Sequence, residues 1–181
     1  MRSTAMPVLT IVLVAIVLSS VKPVPAAPGW AQFVHPQLGF ALSYPQEWTV
    51  ARGVTGVAFM VVGPSPAGVR DVRLNVNVTA EQLSAGITAE AFDGQNESGL
   101  GMLFHEYRRL RTDRTQVVGF AAMIRYYTWK RNDGIEIYQL QLSTVAGTRG
   151  YVVTGTTASV SSRLQVEARL LQSILLTFRP R

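Results

Sequence analysis

The 181-residue sequence contains no cysteine. Disulfide scaffolds, cysteine-ligated zinc or iron–sulfur centres and thiol catalysis are therefore excluded. Histidine is nearly absent: His35 and His105 are the only two, too few for a three-histidine metal site built from one copy. Charge is sparse, at 15% of residues against 48% hydrophobic, and the mean hydropathy is +0.19. A disordered charged tail lacks the apolar area to offset chain entropy, so this composition describes a folded chain. The phosphate-binding pattern Gly-x-x-x-x-Gly-Lys and the nucleophile elbow Gly-x-Ser-x-Gly are both missing. The length fits one domain, with or without a targeting segment.

Arg2 precedes an apolar stretch from Met6 to Leu18 that only Thr10 interrupts, and Val24 and Ala26 follow at small-residue spacing. A basic start, an apolar centre and small residues at the cut predict a signal peptide over residues 1–26, leaving a domain over residues 27–181. An uncleaved anchor is the alternative, but a bilayer span takes about 20 apolar residues, and Lys22 arrives sooner. The lipoprotein route is closed for want of cysteine. The expected location is exported: periplasmic, extracellular or peripheral on a membrane. Cleavage removes Arg2 and Lys22 and no acidic residue, which lowers the formal net charge from +6 to +4. All the remaining basic residues but Lys130 are arginine. Dispersed charge of this size suits an acidic partner or an anionic surface and is not a nucleic-acid signature.

Periodicity organises the domain. Pro28 to His35 reads as a lead-in. Phe40, Leu42 and Tyr44 alternate along a strand that Pro45 ends, and Trp48 to Ala51 and Val57 to Val62 read as further strands. Val72, Leu74, Val76 and Val78 alternate with polar residues, so their side chains fall on one face, towards a core. Thr88 can cap a helix with Glu90 in its first turn and Phe92, Leu100 and Leu103 as its apolar side. Gly94, Gly99 and Gly101 each cost this helix about 1 kcal/mol relative to alanine, so it is expected to be short or broken. Phe120 to Arg131 and Ile135 to Val145 flank the hairpin turn Asn132-Asp133-Gly134, and Tyr151 to Thr157 makes a last strand. A closing helix carries Val160, Leu164, Leu171, Ile174, Leu175 and Phe178 on one stripe, with Arg163, Glu167 and Arg169 elsewhere on the cylinder. The expected class is α+β: a single-domain antiparallel sheet flanked by helices.

The run Gly39-Phe40-Ala41-Leu42-Ser43-Tyr44-Pro45, followed by Trp48, resembles the opening of PsbP-like domains, to which bacterial DcrB-type envelope proteins are similar. Gly150-Tyr151-Val152-Val153-Thr154-Gly155-Thr156-Thr157-Ala158 and the helix after it resemble the carboxyl end of that family. The resemblance implies an α/β/α sandwich that serves as a noncatalytic binding or assembly module. It carries no functional residue onto this chain.

Candidate chemistry is thin. The two histidines read as surface or capping groups. Asp93 and Glu97 stand one helical turn apart, a spacing that lets both face solvent. The segment beginning at Asp93 places Ser98 and Phe104 where a calcium loop needs glycine and glutamate. Arg108, Arg109, Arg111 and Arg114 form the one dense basic group; guanidinium forks suit carboxylates and phosphates, and arginine is favoured at interfaces. The same run also fits a charged edge strand that resists aggregation. Tyr126, Tyr127 and Trp129 make an aromatic cluster, and because neighbouring strand residues face opposite ways, one side is expected to be exposed. The expectation is a noncatalytic module, without a cofactor or metal, that binds a protein partner in an envelope or membrane complex through the arginine group. A small hydrolase or ligand-binding enzyme using His105 is the alternative.

Overall fold

The structure is a computed structural model that describes residues 28–181, so the expected signal segment lies outside the described residues. Among the described residues, ten strands and two helices follow in the order β1 (Trp30–His35), β2 (Phe40–Pro45), β3 (Thr49–Ala51), β4 (Phe59–Val62), β5 (Asn75–Gln82), α1 (Ala89–Leu103), β6 (Arg108–Val117), β7 (Phe120–Lys130), β8 (Glu136–Ala146), β9 (Arg149–Ala158), α2 (Leu164–Leu176) and β10 (Arg179–Pro180). A seven-stranded sheet in the order β3-β4-β5-β9-β8-β7-β6 forms the centre, and β1, β2 and β10 form a second sheet. All the pairings are antiparallel. The α+β class inferred from periodicity is the observed one. Several features depart from the sequence reading, two of them early in the chain. The segment before His35 is a strand rather than a lead-in, and α1 runs unbroken for 15 residues despite its three glycines. Thr88 caps it as expected, its hydroxyl accepting from the Ala91 amide at 3.1 Å.

The central sheet has two unlike faces. On one, the register aligns Tyr126, Leu140, Gly155 and Val76, with Ile124, Leu142, Val153 and Val78 beside them. Period-two alternation delivers these apolar side chains to the same side. The covering layer is α2 together with the small sheet: Leu171, Ile174, Leu175 and Phe178 join Phe40, Leu42 and Tyr44 in one buried cluster. Gly155 allows this approach, since a Cβ there would lie 3.1 Å from the Leu171 Cβ. Burying a side chain of this kind stabilises by roughly 1.5–3 kcal/mol. Thr177 ties the end of α2 to the small sheet, accepting from the Ser43 amide at 2.9 Å and donating to the Ser43 carbonyl at 3.0 Å.

Two residues of the closing segment differ from expectation. Val160 is exposed and precedes the helix. Glu167 is buried, because its carboxylate accepts from the Ala67 amide and from the hydroxyls of Ser161 and Thr157 at 2.7–3.0 Å. Three donors satisfy a charge that would be costly to bury alone, and they pin the 63–74 connection to the start of α2.

Candidate functional site

The other face of the sheet is polar, and α1 lies on it. Across β6, β7, β8, β9 and β5 the register aligns Thr112, Arg125, Gln141, Thr154 and Asn77 in one row. Arg109, Tyr127, Gln139, Thr156 and Asn75 make the next row; Arg114, Met123, Ser143, Val152 and Thr79 make the one beyond. Arg125 is central and only 1% exposed. Its Nη2 donates to both the carbonyl oxygen and the Oδ2 of Asp93, and Glu97 Oε2 stands 3.5 Å away. Asp93 Oδ1 accepts from the Ser143 hydroxyl at 2.9 Å. Glu97 in turn accepts from Arg109 at 2.9 Å and from the Tyr107 hydroxyl at 3.2 Å.

These contacts revise the sequence reading of the acidic pair. Asp93 and Glu97 do share one helix face, but that face is turned to the sheet, because a buried guanidinium in the middle of a largely apolar strand requires a counter-charge. Burial pushes the Asp93 carboxyl above 3.8, with Arg125 and Ser143 pulling it back. Burial and the neighbouring Glu97 charge push Tyr107 up to about 12, so it stays a proton donor to Glu97. The apolar side of α1 also differs from the expected one. Phe92 is buried, its ring so close to Gly150 that a Cβ there would lie 2.6 Å from the Phe92 Cζ. Leu103 and Met102 stand 78% and 83% exposed.

The four arginines of the basic group lie on β6, an edge strand of the central sheet. The group is divided between the two faces, and a register shift between Arg109 and Arg111, with Leu110 unpaired and exposed, sets which arginines share a face. Arg109 and Arg114 lie on the α1 side, the latter bonded to both oxygens of Glu90 at 2.9 and 3.0 Å. Arg111 lies on the other side, 4.1 Å above the Tyr126 ring and 3.3 Å from Asp113. Arg108 is 3.9 Å from Glu136. The side chains are 56–77% exposed.

Tyr126 and Tyr127 point to opposite faces as expected, yet both are buried, one beneath Arg111 and the other against Tyr107. Trp129 stacks on Phe104 at 4.4 Å and donates to Gln139 at 2.8 Å. His35 accepts from the amides of Gln37 and Leu38, the capping role expected of it. The His105 side chain is 67% exposed and pairs with Glu106 at 3.2 Å. Among the described residues, neither imidazole hydrogen-bonds to a hydroxyl, and no group of three or more acidic or histidine side chains is placed to hold a metal ion. No described helix is long and apolar enough to cross a membrane.

No family model matches the chain, and no curated protein matches it by sequence. Solved structures do match. The solution structure of cyanobacterial PsbP from Synechocystis sp. PCC 6803 superposes with a TM-score of 0.62 at 14% identity, covering 86% of this chain and 95% of that one. LpqN of Mycobacterium tuberculosis, described as involved in cell envelope biogenesis, gives 0.59 at 12% identity over 82% and 88% of the two chains. The Saccharomyces cerevisiae Ran-binding protein Mog1p gives 0.58 at 11% identity over 83% and 95%. The chain therefore has the PsbP-like fold, and at these identities the likeness is one of architecture.

Proposed function

We propose that this chain is an exported, noncatalytic binding module that docks on a protein partner of an envelope or membrane complex, with Arg108, Arg109, Arg111 and Arg114 on the contact surface. The observation that carries this reading is β6 itself: ten residues long, at the sheet edge, with four exposed guanidiniums. Each faces a carboxylate of its own chain, but exposed ion pairs are worth about 0–1 kcal/mol, so a partner's acidic groups can replace these carboxylates at little cost. The fold neighbours support the reading in kind, since they include a Ran-binding protein and a protein of cell envelope biogenesis. Residues 1–26 support export by their sequence pattern. Nothing at the exposed His105 favours the hydrolase alternative.

The test is crosslinking in native envelope membranes, followed by co-purification and mass spectrometry. One dominant partner at reproducible stoichiometry is expected. Replacing the four arginines by serine is expected to weaken its capture and flatten the salt dependence. Capture and salt dependence that survive all four replacements would remove β6 from the contact surface.

A further inference from the structure

The floor beneath α1 is incompletely satisfied. Among the described residues, only Nη2 of the three Arg125 nitrogens reaches acceptors, while Nε and Nη1 are buried without a partner. In the same row, the Oε1 of the buried Gln141 has no donor among the described residues. Guanidinium and amide groups buried in this condition are unusual and call for an explanation. The cover, meanwhile, is lightly held. Ala89, Phe92 and Asp93 are the buried residues of α1, and the helix carries three glycines and ends in exposed Met102 and Leu103. Its two carboxylates thus occupy a guanidinium site that they only partly fill.

We propose that α1 is a displaceable cover, and that Arg125 with Arg109 beside it forms a binding site for a carboxylate-bearing segment of a protein partner, for which Asp93 and Glu97 are internal stand-ins. This rests on the binding-module reading and specifies the chemistry of the partner. A carboxylate meeting a guanidinium edge takes two N–H donors at once. Asp93 does not achieve this, because its carbonyl and its carboxylate both go to Nη2. An incoming acidic peptide supplies both missing partners: a side-chain carboxylate for the free Arg125 nitrogens and a backbone N–H for Gln141 Oε1. A bare anion supplies only the first. When α1 lifts, Asp93 and Glu97 return to water, so no carboxylate is left buried and unpaired.

The probe is a short fluorescent polyglutamate peptide, titrated by anisotropy against the full chain and against the double variant Asp93→Ala/Glu97→Ala, which removes both stand-in groups rather than neutralising them. Removing the stand-ins shifts the population towards the open form, and the double variant is expected to bind about tenfold more tightly. A polylysine peptide of equal length is expected not to bind. Equal affinity of the two proteins for polyglutamate would overturn the proposal, as would displacement of the peptide by an equal concentration of inorganic phosphate. Adding Arg125→Gln is expected to abolish binding. Gln141→Leu, which keeps the charge pairing, serves if that protein does not fold, and is expected to weaken binding several-fold; unchanged affinity there would also overturn the proposal. If the native partner is still captured by crosslinking while the double variant gains nothing, this site fails and the binding module stands. If the peptide binds as expected and no native partner is captured, the reverse holds.

Discussion

The two helices lie on opposite faces of one sheet and are held there by opposite means. Under α2 the sheet presents aliphatic and aromatic residues, and Leu171, Ile174 and Leu175 complete a continuous core. Under α1 it presents arginine, glutamine, serine and threonine, and the helix answers with Asp93 and Glu97. Apolar burial is non-directional and adds up with area. A buried ion pair must first repay desolvation and is a weak source of net stability. The fold is thus secured from one side, and the other side is left able to change.

Changes at the α2 seat are expected to have the largest effect. Leu171→Ala leaves a cavity against Gly155 and is expected to lower global stability by about 2–5 kcal/mol, read by chemical denaturation. At the α1 seat, Arg125→Leu would cost about 3–5 kcal/mol if Asp93 remained buried without its partner. Because α1 can lift and rehydrate Asp93, the global loss is expected to be smaller than that of Leu171→Ala, with the damage confined to faster exchange of the α1 amides. A larger global loss than at Leu171 would make the two seats equivalent and break the contrast.

Acidity sharpens the comparison. Burial raises the Asp93 carboxyl above 3.8 in the folded chain, so the folded state holds that proton more tightly than the unfolded one. The resulting stabilisation is fully present below pH 3.8 and is lost as pH rises through the folded value. Wild type is therefore expected to lose stability relative to Asp93→Asn as pH climbs through that window, measured by denaturation at a series of pH values. The opposite slope would mean that Arg125, not burial, governs Asp93.

Smaller effects follow at the ends of the contrast. Thr88→Ala removes the cap of α1 and is expected to cost about 1 kcal/mol, seen as fraying of that helix alone in amide exchange. Arg114→Ser breaks a solvated pair with Glu90 and is expected to change stability by less than about 1 kcal/mol.

The sheet and α2 were legible because their signals are periodic. Leu74, Val76 and Val78 alternate into the main core from β5 and the residue before it, although Val72 precedes the strand and joins a separate small cluster, and the closing stripe repeats at helical steps. β1 was not legible: Trp30 to His35 shows no clean alternation, and it becomes a strand only because β2 offers an edge to pair with, a tertiary cause. The arginine group was visible as charge, but which of its members share a face depends on a register shift at Leu110 that no spacing shows. The Arg125 site had a signal that spacing alone did not resolve. A single arginine amid Met123, Ile124, Tyr126 and Tyr127 demands a buried acid, and Asp93 and Glu97 at one helical turn are that acid. Glu167 passed for a surface residue for the same reason: its three donors come from segments distant in sequence or beyond the helix.

The most direct measurement is native-state amide hydrogen exchange on the protein purified from its own cells, comparing α1 with α2. The amides of α2 are expected to exchange only through global unfolding, and those of α1 through a local opening at least about tenfold more frequent. Equal protection of the two helices would show that the charged seat holds as firmly as the apolar one, and would contradict a displaceable α1.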